Sequence, residues 1–198
     1  VSRRRTLPGI AVALLMLAAA VHSRAALPAM QQDGWYRWET AAGSQGATAC
    51  CYQWRHGNIG RAGCRLGGGN GLSIDVDCAV TSDTLQVFAE VRAGRVRDIR
   101  ALSAACPVET SEPARDLGAV DTATSIDWLH GLLDDRAVRE DAVLVISMHE
   151  NAAAMRSLTA LIENRRLDMD LREQALFWLV QLPDDAVYRY FDRLLGAR

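Results

Sequence analysis

Apolar residues change their spacing twice along this chain. Ile10 to Val21 is an unbroken apolar run. Later segments alternate apolar and polar residues at the two-residue period of half-buried strands. Leu85, Val87, Ala89 and Val91 alternate with Gln86, Phe88, Glu90 and Arg92. Ala93-Gly94 then separates this segment from a second run, Arg95 to Leu102, and Gly94 can supply the positive φ of a tight hairpin turn. Trp35 to Thr40, Cys50 to Arg55 and Leu72 to Asp77 read as further strands. Between them, His56 to Gly71 holds seven of the fifteen glycines and reads as a mobile loop.

Past Cys106 to Pro113, where Pro, Glu, Ser and Thr accumulate, the apolar spacing becomes three and four. Ile126, Leu129, Leu132 and Leu133 form one helical stripe, with Thr122, Thr124 or Ser125 available as N-cap. Four more helices are expected at 137–149, 152–164, 170–182 and 184–195. The expectation is an α+β protein: a disulfide-stapled, strand-rich unit over 26–112, followed by a short α-helical array over 113–198.

The helical end repeats itself. An ungapped shift of 33 residues aligns Arg139-Glu140 with Arg172-Glu173, Ala142 with Ala175, Ala153 with Ala186, Arg156 with Arg189 and Leu161 with Leu194. Apolar positions stay apolar, as in Val143/Leu176 and Ile146/Leu179. Stacked helix pairs produce such spacing, because each pair buries its apolar face against the next. Leu171-Arg-Glu-Gln-Ala-Leu-Phe-Trp-Leu resembles the first helix of a bacterial HEAT-type repeat, and Ala142-Val-Leu-Val-Ile-Ser-Met-His, followed by the Asn151 helix start, resembles the preceding unit. The resemblance covers Ala137 to Leu195, with fewer units than the family usually has. It implies a HEAT-like scaffold or protein-binding surface and carries over no catalytic residue.

Composition narrows the function classes. All 22 basic residues are arginine. The absence of lysine excludes Schiff-base chemistry, the pyridoxal-phosphate linkage and a Walker-type phosphate loop, each of which needs a primary amine. Arg3-Arg4-Arg5, the apolar run and Ser23-Arg24-Ala25 together have the form of a signal peptide over 1–25, too short to span a bilayer. A periplasmic or secreted location follows as an expectation, with no stable membrane span after cleavage. Cleavage would move the net charge from −2 to near −6, which disfavours a nucleic-acid partner.

The five cysteines, Cys50, Cys51, Cys64, Cys78 and Cys106, all lie in the strand-rich unit. In an oxidising compartment they are candidates for stapling a small core, with one thiol left over and either a monomer or a disulfide-linked dimer open. An inert staple competes with a thiol- or metal-dependent enzyme or sensor. For a metal, Cys51, His56 and Cys64 are the candidate ligands, and Asp75 with Asp77 after the glycines is a weaker calcium pattern. His149-Glu150 lacks the second histidine of a zinc-protease helix, so His149 reads as an imidazolium at a helix C-terminus. No cofactor is indicated. The leading expectation is a non-enzymatic exported protein whose repeats hold another protein, with Arg139 and Arg172 on the helices and Arg95 and Arg97 on the hairpin as candidate contacts.

Overall fold

A computed structural model describes residues 27–55, 58–61, 64–67, 71–73, 81–110 and 112–196, with only the backbone for 51–55, 58–61 and 71–73. The strands are β1 Gly34–Ala41, β2 Cys50–Arg55, β3 Asn58–Arg61, β4 Cys64–Arg65, β5 Gly71–Ser73, β6 Thr84–Arg92, β7 Arg95–Ser103, β8 Val108–Glu109 and β9 Arg115–Ala119. The helices are α1 Ser44–Thr48, α2 Thr122–His130, α3 Arg139–Met148, α4 Asn151–Glu163, α5 Met169–Val180 and α6 Asp185–Gly196. The chain is a mixed α+β protein, with its strands first and most of its helices last.

Four strands form the main sheet in the order β7-β6-β1-β9. The expected hairpin is present, with Arg92 opposite Arg95. Both of its turn residues have positive φ, Ala93 at 52° and Gly94 at 70°. That is the pairing a two-residue type I′ turn requires. The segment 56–71, expected as a loop, instead carries β3 antiparallel to β2 and β4 parallel to β8. Glycine-rich strands bury few side chains, so their pairing leaves little periodic trace in sequence. The strand expected over 72–77 is described only to Ser73, within β5; Asp75, Asp77 and Cys78 lie outside the described residues, as does the proposed signal segment.

The compositional border at 112/113 falls just before β9, which pairs parallel with β1 and therefore extends the first unit's sheet. Arg37 bonds Asp116 across this pair, and the Asp116 carboxyl is held below its usual pKa by the Gly118 amide first and then by Arg37. One apolar cluster crosses the border. Trp38, Leu85, Val87 and Ile99 from the sheet join Leu129, Ile146, Leu158 and Leu179 from the helices. A smaller cluster on the other face gathers Trp35, Phe88 and Leu102 with Cys50, Cys64 and Cys106.

Every expected helix is present within a few residues of its expected ends. The N-cap of α2 is Asp121, whose carboxylate accepts from the Thr124 amide at 2.9 Å, in place of the three hydroxyl residues considered. Glu150 and Asp168 cap α4 and α5 in the same way. Among the described residues, no helix is long and apolar enough to cross a membrane.

Candidate functional site

Helix α5 is apolar on two faces. Leu171, Ala175 and Leu179 are buried in the shared core, while Met169, Leu176, Phe177 and Val180 stand exposed at 58%, 37%, 54% and 50%. The second set recurs at spacings of seven, one and three, which places it on one stripe about 16 Å long at 1.5 Å per residue. A surface helix of a globular protein normally buries one stripe and shows polar residues elsewhere. Helix α6 sends Val187 and Tyr190 into the core and exposes Tyr188, Leu194 and Leu195. Exposed apolar residues scattered singly need no explanation, but a run of them on one helix face is a usual mark of an interaction surface.

The two repeat arginines sit elsewhere. Arg139 bonds the carboxylate of Asp168, the residue that caps α5, and is largely covered, with 16% of its side chain exposed. Arg172 donates from Nε to the Ile162 carbonyl at 2.8 Å, satisfying an end carbonyl of α4. Both tie helices to one another, so they do not lie together on an outward binding face. Asp168 is held below the ordinary carboxylate pKa by the Leu171 amide first and by Arg139 second. Arg95 and Arg97 are exposed on β7, an edge strand of the main sheet. Charge on an edge discourages further strand pairing. Their neighbours Arg92 and Arg100 pair with Glu90 and Asp98.

Three of the candidate cysteines converge. Cys50 and Cys106 form a disulfide with Cα atoms 5.6 Å apart, and the Cys64 sulfur lies 3.8 Å from that of Cys106. All three are buried. The side chain of Cys51 and the whole of Cys78 and His56 lie outside the described residues, so the proposed Cys51, His56, Cys64 metal set does too. Among the described residues no group of three or more His, Cys, Asp or Glu is placed to hold a metal ion.

Two histidines pair with serines. His149 is fully buried. Its Nδ1 is 2.8 Å from the Val145 carbonyl, and its Nε2 is 2.8 Å from Ser125 Oγ, which accepts from Trp38 Nε1 at 2.8 Å. These partners assign Nδ1–H as donor and Nε2 as acceptor. Burial lowers its pKa to about 4, against the partial support of the Val145 and Ile146 backbone. The helix-end position was expected, but the charged imidazolium is corrected to a neutral ring, because burial disfavours the charge and no carboxylate among the described residues compensates it. His130 Nε2 meets Ser157 Oγ at 2.7 Å between α2 and α4, and burial lowers its pKa as well, partly opposed by Asp127. With the first serine sealed from solvent and the second in the middle of a helix, both pairs read as bonds between elements.

A wider cleft of about 580 Å³ opens beside Trp35, lined by Arg65, Glu90, Arg92 and Glu109. Its charges are already matched as Arg65–Glu109 and Arg92–Glu90. Comparisons with protein-family models, curated proteins and solved structures return no match for this chain.

Proposed function

We propose that this is an exported, non-enzymatic binding protein whose HEAT-like helical region holds the apolar face of a helix from another protein against the outward stripe of α5. One observation carries the reading: α5 buries Leu171, Ala175 and Leu179 and still shows Met169, Leu176, Phe177 and Val180 to solvent. The 33-residue spacing supports it, since an inner helix of a stacked array needs two apolar faces and a terminal one needs a polar outer face. A partner helix lying along the stripe would supply the missing layer by ordinary ridges-into-grooves packing.

The test is crosslinking in source cells followed by affinity capture, with wild type beside Phe177→Asp and Val180→Asp. Both side chains are exposed, so the variants are expected to melt as wild type does. One recurrent partner that both variants lose, crosslinked through α5 or α6, is the expected result. Undiminished capture by both variants would reject the docking face. Arg139→Ala is expected to lower the thermal midpoint slightly while leaving capture intact, because its guanidinium bonds Asp168 at the start of α5 and does not face outward.

A thiol-based sensor is the second reading, and the proximity of the three sulfurs favours it. Their burial opposes it, because exchange needs access to an attacking thiolate. Rapid exchange of the native Cys50–Cys106 disulfide with a small thiol, read by iodoacetamide trapping of the released cysteines, would move the weight to this reading.

A further inference from the structure

Where β7 meets α3, a cleft of about 160 Å³ is lined by Asp98, Arg100, Asp141 and Leu144 over the apolar side chains of Ile99 and Met148. A cavity of roughly 150 Å³ accepts a molecule the size of benzene, so this one suits a short aliphatic group. Its charges are unequal. Arg100 Nε donates to both oxygens of Asp98 at 3.3 Å, which compensates one carboxylate. Asp141, half buried at the start of α3, makes no hydrogen bond or ion pair with the described residues. The lining therefore carries one negative charge in excess, beside an apolar floor.

We propose that this cleft binds the alkylammonium or alkylguanidinium end of a ligand, its cation between Asp141 and Asp98 and its methylenes on Leu144 and Met148. An anion is repelled by the excess charge, and a neutral apolar group would leave Asp141 uncompensated. A divalent metal ion asks for about six oxygen ligands, which an apolar floor does not supply. The amphipathic shape of a lysine-like or arginine-like chain meets both requirements.

The titration of Asp141 agrees with that placement. Burial raises its pKa, Asp98 adds to the rise, Arg100 opposes it and Glu140 reinforces it. These are the charges that act on it from β7 and from its own helix. A bound cation reverses the effect, so binding weakens as pH falls through the Asp141 titration and releases protons where that titration is incomplete.

n-Butylammonium is the probe, followed by amide NMR shifts and calorimetry on the full chain. The expected result is saturable shifts at 98–101 and 141–148, no comparable response to butan-1-ol, and affinity lowered about tenfold in Asp141→Asn, the weight of one charge-assisted contact. Asn keeps the shape and gives up only the Coulombic attraction of Arg100, no hydrogen bond, so the variant is expected to fold; a thermal melt verifies it. Absence of saturation, an equal response to the alcohol, or unchanged affinity in folded Asp141→Asn would overturn the assignment. Comparing 1,4-diaminobutane with a lysine-containing tripeptide separates a free amine from a protein side chain as the source, the tighter of the two marking it. Phe177→Asp should bind the probe as wild type does, so loss of the α5 docking face and loss of this cleft are separate results.

Discussion

Ala93 shows how a short-range rule can be read only halfway. The sequence pointed to Gly94 as the residue with positive φ, and the alternation on either side located the hairpin. The turn also puts Ala93 at φ 52°, where an L side chain crowds its own backbone at a cost of about 1–2 kcal/mol. Asp33 offsets part of this by accepting the Ala93 amide at 2.8 Å, a contact 60 residues away that no local pattern could reveal. Ala93→Gly is expected to stabilise the protein by about 0.5–1 kcal/mol, less than the full strain because glycine also loosens the unfolded chain. A urea titration reads this as a higher midpoint at unchanged slope.

His149 belongs to the same scale. Its folded pKa of about 4 lies below the ordinary 6.5, so the unfolded chain binds the extra proton. The stability from keeping the ring neutral is complete above about 6.5, falls as pH drops through that value, and is fully lost near 4; the shift corresponds to about 3 kcal/mol. His149→Gln should flatten the stability profile in this window by up to one proton's slope. Equal slopes in the two proteins would mean that the ring is not held neutral. Its position at a helix end was legible from sequence, but its depth was not, because depth depends on Trp38 and Ser125 arriving from the sheet and from α2.

Legibility at the level of elements followed side-chain periodicity. Helices α2 to α6 and strands β1, β6 and β7 each bury a regular set of side chains, and each was anticipated. The two-residue β4 and β8, the five-residue α1 and the largely exposed, glycine-containing β9 bury no regular set of side chains, and the four residues of β3 are too few to show a period. Helix α5 carries the candidate site because its sequence is apolar around most of its circumference, and only part of that surface packs within the chain. The neighbours of two of the arginines were not legible for a related reason. Charge predicts exposure on average, yet Arg139 and Arg172 are held by a cap residue and a helix-end carbonyl that become neighbours only after folding.

Close approach between elements also supplies a prediction. Near α1 the backbone runs against the corner between α3 and α4, with Gly43 N donating to the Met148 carbonyl at 2.9 Å. A Cβ at Gly46 would stand 2.2 Å from that same carbonyl oxygen. Backbone cannot swing aside as a flexible side chain can. Gly46→Ala should therefore cost about 1–3 kcal/mol, the usual range for overpacking, even though alanine favours helices. Chemical denaturation measures it, and a neutral result would mean that this corner opens easily.

Across the whole molecule, composition and connectivity give different divisions. The Pro, Glu, Ser and Thr segment suggested two separate units, but β9 crosses that border into the sheet, and the main apolar cluster contains side chains from both sides of it. A core shared in this way couples the unfolding of its contributors. Amide exchange at β6 and at α3 should therefore report the same opening free energy as urea rises toward the transition. The Cys50–Cys106 disulfide closes a separation of 56 residues within the sheet half, and in the chain-entropy account such a cross-link is worth about 4 kcal/mol. If the core is one cooperative body, Cys50→Ala lowers protection in β6 and α3 by the same amount, although α3 lies outside the cross-linked loop. If the halves fold independently, β6 alone loses protection and the helices keep theirs, which would restore the division at 112/113 and leave the α5 face on a separately folding unit.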